Sequence, residues 1–99
     1  MSDLVNYLKL GQKALANKNF ENAINFFNKA LPTAEKKDQI EIYKALGDIH
    51  YDSSKFKQAI IEYTNALKVA AELNDVKVEI KLLQTMGNIC QEMKSGSRC

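Results

Sequence analysis

The side chains that could do chemistry are few and scattered. There is one histidine, His50, and there are two cysteines, Cys90 and Cys99. A structural zinc site needs four ligands with close pairs such as CxxC, and no such pair exists. No Gly-rich phosphate loop, nucleophile elbow or HExxH pair occurs in the sequence. Cys99 is the last residue, so the three residues a prenylation box needs after its cysteine are missing. The acidic and basic residues are interspersed, as on solvated helix surfaces. No catalytic, cofactor-binding or metal-binding set can be assembled, and the expectation is a protein that is not an enzyme. His50 and Cys90 instead fall on helix-packing positions and read as packing residues.

Composition narrows the class further. The chain has 99 residues, 45% hydrophobic and 26% charged, which is globular usage rather than disorder. That length holds one small domain at most, with no cleft between domains. Fourteen Lys/Arg against 12 Asp/Glu give a net charge of +2, too little to mark a nucleic-acid or anionic-lipid surface. No apolar run approaches a membrane span, and no signal peptide opens the chain. Two cysteines are too few for a secreted disulfide scaffold, which points to an intracellular, cytoplasmic setting.

Self-similarity then shows how the chain is organised. Leu10-Gly11 recurs as Leu46-Gly47 and as Met86-Gly87, at offsets of 36 and 40 residues. Phe20-Glu21-Asn22-Ala23-Ile24 recurs as Phe56-Lys57-Gln58-Ala59-Ile60, and Ala30-Leu31 as Ala66-Leu67, both at an offset of 36. Each unit reads as two amphipathic helices. Leu4, Tyr7, Leu8, Leu10, Gly11, Ala14 and Leu15 make the stripe of the first, and Phe20, Ala23, Ile24, Phe27, Ala30 and Leu31 that of the second. Tyr43, Leu46, Gly47 and His50, then Phe56, Ala59, Ile60, Tyr63, Ala66 and Leu67, repeat the pair. Asn19 is placed to cap the second helix, and Ser53-Ser54 mark a turn. Pro32 should end or kink the second helix. Asp38 with Glu41 has the form of a capping box opening the third helix. Gly11 facing Ala23, and Gly47 facing Ala59, would let paired helices approach closely.

These residues resemble the tetratricopeptide repeat, with its aromatic-x2-Leu-Gly, Ala-x3-aromatic and final Ala. The pattern stands here as Tyr7, Leu10, Gly11, Ala14, Ala23, Phe27, Ala30, and again as Tyr43, Leu46, Gly47, His50, Ala59, Tyr63, Ala66. A third start, Leu83, Met86, Gly87, Cys90, has no second helix after it. Glu35 and Ala71 stand where the usual closing Pro would be, and the 36- to 40-residue spacing is that of long-repeat members. The resemblance implies an all-α fold, a right-handed α-solenoid of antiparallel helix pairs with five helices. The domain would span residues 1–94, with repeats at about 4–37 and 39–74, a half repeat at 77–94 and a flexible tail at 95–99. It also implies a non-catalytic adaptor or scaffold module without cofactor or metal, binding a peptide or helix of a protein partner. The alternative is a structural subunit, or a short isoform or fragment of a longer array, stabilised by oligomerisation or assembly.

In this family the first helix of each pair lines a concave groove. The matching positions are Val5, Leu8, Gln12 and Leu15, then Glu41, Lys44, Asp48 and Tyr51, then Lys81, Gln84 and Asn88. A subclass clamps the C-terminal carboxylate of heat-shock chaperones with Lys, Asn and Arg side chains. Here those places hold Leu8, Gln12, Ala45, Lys81 and Thr85, and only Lys81 suits a carboxylate, so the clamp is not expected. The two ends differ. Asn6, Lys13 and Asn17 are polar where the later units have Ile42, Ile49 and Ser53, then Leu82, Ile89 and Met93, as an array's outer cap requires. At the other end Leu83, Gly87 and Cys90 lack the helix that would cover them. This open end is a second candidate interface, to a partner helix or to a second copy as a homo-oligomer. About two and a half repeats predict a marginal monomer.

Overall fold

The computed structural model describes residues 3–93; the expected tail at 95–99 and Cys99 lie outside them. Five α-helices, and among these residues no strand, follow in order: α1 (Asp3–Ala16), α2 (Phe20–Ala30), α3 (Lys36–Asp52), α4 (Phe56–Glu72) and α5 (Val76–Met93). Each helix packs against the next in sequence, α1 on α2, α2 on α3, α3 on α4 and α4 on α5. The result is a slab of 47 × 32 × 17 Å.

Three of the four connections are turns too short to let the chain do anything but reverse. Each uses one residue in the left-handed region, Lys18, Ser54 or Asn74, at φ 60°, 61° and 56°. The reversal closes the helix end with two amide bonds. Asn19 N donates to Ala14 O at 2.8 Å, Lys55 N to His50 O at 2.8 Å, and Asp75 N to Ala70 O at 3.0 Å, each enclosing an inner bond from the preceding residue's N–H. Asn19 then caps α2, its Oδ1 accepting from Asn22 N at 3.4 Å. Pro32 acts as its ring dictates: α2 stops at Ala30 and a 3-10 turn, Leu31–Thr33, carries the proline. The start of α3 differs from the capping box expected at Asp38. The helix begins two residues earlier at Lys36, with Glu35 as its N-cap and no side-chain cap bond. The side chain that reaches back is Gln39, whose Nε2 donates to Ala34 O at 2.9 Å.

The apolar stripes bury themselves in two clusters. One joins Ala23, Phe27 and Ala30 of α2 to Ile42, Leu46 and Ile49 of α3, with Leu4, Tyr7 and Leu8 of α1 packed against it. The other joins Ile40 of α3 and Ala59, Tyr63 and Ala66 of α4 to Leu82 and Ile89 of α5. Helix α3 therefore has two apolar faces, one toward α2 and one toward α4. Asn6, Lys13 and Asn17 are exposed on α1.

The glycines explain the close pairing, although not through the alanines. A Cβ on Gly11 would stand 2.9 Å from the Phe27 ring, and one on Gly47 2.8 Å from the Tyr63 ring. The partner of each glycine is thus the aromatic four residues after the expected alanine, seated flat against bare backbone. Gly87 has nothing within 4 Å of the same position. These facts set opposite expectations for one substitution at two places. Gly47→Ala should lower stability by about 1–3 kcal/mol, because a buried ring must shift. Gly87→Ala should raise it by about 0.5–1 kcal/mol, because an exposed helical glycine gains propensity at no steric cost. Urea unfolding midpoints of the two variants measure both.

Candidate interaction groove

Helices α1 and α3 stand side by side across α2, and the side chains between them form two adjoining recesses. The first, about 320 Å³, is lined by Leu8, Gln12, Leu15, Phe27, Asp38, Glu41, Ile42, Lys44, Ala45 and Asp48. The second, about 370 Å³, is lined by Leu15, Lys18, Phe20, Asp48, Tyr51 and Asp52. Leu15 and Asp48 belong to both, so the recesses form one continuous trough. It gathers Leu8, Gln12 and Leu15 of α1 with Glu41, Lys44, Asp48 and Tyr51 of α3. The three α5 positions, Lys81, Gln84 and Asn88, line neither recess and are exposed. Val5 is exposed as well.

Two tyrosines tie the trough to the helices behind it. The Tyr63 hydroxyl of α4 donates to the Asp48 carboxylate of α3. Burial, and then this bond to a carboxylate, push the Tyr63 phenol well above its ordinary range. The Tyr51 hydroxyl of α3 donates to Glu92 of α5, and that bond raises the Tyr51 phenol in the same direction. The Tyr51 ring also leans on Phe56, with centroids 5.5 Å apart at 50°. α5 thus reaches the trough through Glu92, one turn beyond the Asn88 position read from the sequence. Asp52 likewise lies one turn beyond Asp48. Both could have been found by carrying each stripe forward by four residues.

The trough is more acidic than the chain. Asp38, Glu41, Asp48 and Asp52 line it against Lys18 and Lys44, while Leu8, Leu15 and Phe20 supply apolar floor. Elsewhere the ionic contacts are structural. Lys36 Nζ lies 3.2 Å from Glu72, and Lys29 Nζ lies 5.9 Å from the Tyr7 ring centroid. His50 Nε2 lies 3.7 Å from Glu62, with both side chains largely covered, which fits the packing role read for it. Cys90 is half-buried on α5. Among the described residues no three His, Cys, Asp or Glu side chains cluster as metal ligands. No described helix is long and apolar enough to cross a membrane.

Residues 41–76, which run from the second turn of α3 through α4 to the first residue of α5, match the family model SHNi-TPR. Over that stretch the chain is similar to a tetratricopeptide-type repeat. No curated protein and no solved structure matches it. Tetratricopeptide-type repeats are generally non-catalytic and serve as protein–protein interaction modules. In this one, the ring-on-glycine contact of the matched pair, Tyr63 on Gly47, is reproduced 36 residues earlier by Phe27 on Gly11.

The Tyr63 bond carries a pH signature. A phenol that titrates higher folded than unfolded contributes its full stability below pH ~10, and that contribution is lost as pH rises beyond the unfolded value. Tyr63→Phe should cost about 0.5–1.5 kcal/mol at neutral pH. It should also flatten the fall in stability above pH ~10, as urea midpoints taken across that range would show.

Proposed function

We propose that this tetratricopeptide-type domain is a cytoplasmic adaptor or scaffold whose α1–α3 trough holds an extended peptide or a helix from a partner protein. The observation that carries the reading is the trough itself, continuous from Leu8 to Tyr51 and walled by α1 and α3. Its chemistry selects the occupant. Four carboxylates against two lysines favour a segment bearing Lys or Arg, and the Leu8, Leu15 and Phe20 floor favours an apolar side chain between them. The same lining opposes a chaperone-type C-terminal carboxylate, which would face Leu8 and Ala45 and meet like charge at Glu41 and Asp48.

A second reading, a structural subunit or oligomer held through α5, draws on the exposed Leu83 at the other end of the slab. The two are separable by substitution. Glu41 and Asp52 are exposed and, among the described residues, neither side chain makes a hydrogen bond or ion pair, so reversing them leaves the fold intact. The probe is a set of fluorescent twelve-residue peptides that pair Arg or Lys with Leu. The double variant Glu41→Lys/Asp52→Lys should weaken their binding about tenfold, and added salt should weaken it further. Leu8→Glu should weaken it independently. Binding by anisotropy that ignores all three substitutions would remove the trough from consideration and favour the α5 end.

A further inference from the structure

The half of the trough nearest the α1–α2 turn differs in chemistry from the other half. This recess, about 370 Å³, is lined by two aromatic rings, Phe20 of α2 and Tyr51 of α3, and by Asp48 and Asp52. Lys18 and Leu15 complete the lining. The neighbouring recess is floored instead by Leu8, Ala45 and the buried Phe27.

Two of these four groups are held in place from behind. The buried Tyr63 donates its hydroxyl to Asp48, which fixes that carboxylate on the recess wall. The Tyr51 ring leans on Phe56, and its hydroxyl donates to Glu92 of α5. Asp52 is exposed, yet its charge helps to raise both phenols, so it stands close to the same ring. A flat ring face and a fixed carboxylate acceptor thus meet in one small space. Groups already in position lose little freedom when a ligand arrives. The matching ligand group is planar, cationic and rich in donors. A guanidinium stacks on a ring face and directs paired N–H donors in its own plane at carboxylates. An ammonium is a compact, strongly hydrated point charge and uses neither the plane nor the pairing.

We propose that this recess is an arginine subsite of the trough, taking one guanidinium of the partner segment against the Phe20 and Tyr51 rings, with Asp48 and Asp52 as acceptors. The subsite presupposes that the trough binds a partner segment, and it adds which cation is chosen. Charge alone does not make that choice, because lysine and arginine satisfy the general acidity of the trough equally. Lys18 works against any incoming cation, but it is exposed on the turn and faces two carboxylates.

Two fluorescent twelve-residue peptides test the choice, one alternating Leu with Arg and the other Leu with Lys. Their charges are the same. Anisotropy against the whole protein should show the Arg peptide binding about tenfold more tightly. Tyr51→Leu should reduce that preference to within about twofold, and Phe20→Leu should do so independently. Tyr51→Phe keeps the ring and removes the Glu92 bond, so the preference should survive it. Circular dichroism verifies that each variant is folded. Equal binding of the two peptides overturns the subsite and leaves the trough reading standing. A preference that both leucine variants retain overturns it as well, since the rings would then play no part. So does a preference lost as fully in Tyr51→Phe as in Tyr51→Leu, which would assign it to the Glu92 bond. If neither peptide binds, the trough reading fails and the subsite with it.

Discussion

An aromatic ring lying on bare helix backbone is the constraint from which the rest of this slab follows. Gly11 admits Phe27 and Gly47 admits Tyr63 at distances no Cβ would allow. That seat fixes how closely the two helices of a pair approach and which face of each is used up. It also sets the trough. With Tyr63 held flat on Gly47, its hydroxyl emerges beside α3 and donates to Asp48. Phe27, held on Gly11, forms part of the trough wall. Core packing and the candidate binding surface are therefore two ends of the same side chains.

Once both helices of a pair are locked, charge placement is free to specialise. The protein carries a formal charge of +2, yet its trough is lined by four carboxylates and two lysines. A net charge near zero describes solubility and long-range steering, whereas recognition depends on the local pattern. Two lysines outside the trough make contacts of their own, Lys36 with Glu72 and Lys29 with the Tyr7 ring. The even overall balance is what conceals the acidic face.

Much of this was legible in the residues themselves, because helix-pair repeats write a local signal. The 36-residue recurrence, the Asn19 cap and the Pro32 stop each rest on the chemistry of one or two neighbours, and the structure has them all. Seven of the trough positions could be placed by face alone. What was not legible depends on how helices meet. Period fixes a face but not the depth at which a partner ring crosses it, so the glycines were matched to Ala23 and Ala59 rather than to Phe27 and Tyr63. The start of α3 was misread because Asp38 and Glu41 have the right spacing for a cap, while backbone geometry already begins the helix at Lys36. Asp52 and Glu92 were missed because each stripe was ended a turn too soon. Lys81, Gln84 and Asn88 follow the repeat pattern, yet α5 meets the trough at Glu92 instead.

The central claim is that a partner segment lies between α1 and α3. Hydrogen–deuterium exchange on the whole protein, with and without a bound Arg- and Leu-containing peptide, tests it most directly. The account predicts slowed exchange in α1 and α3, centred on Leu8–Leu15 and Glu41–Tyr51, with α2 and α4 little changed. Protection confined to α2 and α4, the helices behind the trough, would contradict it.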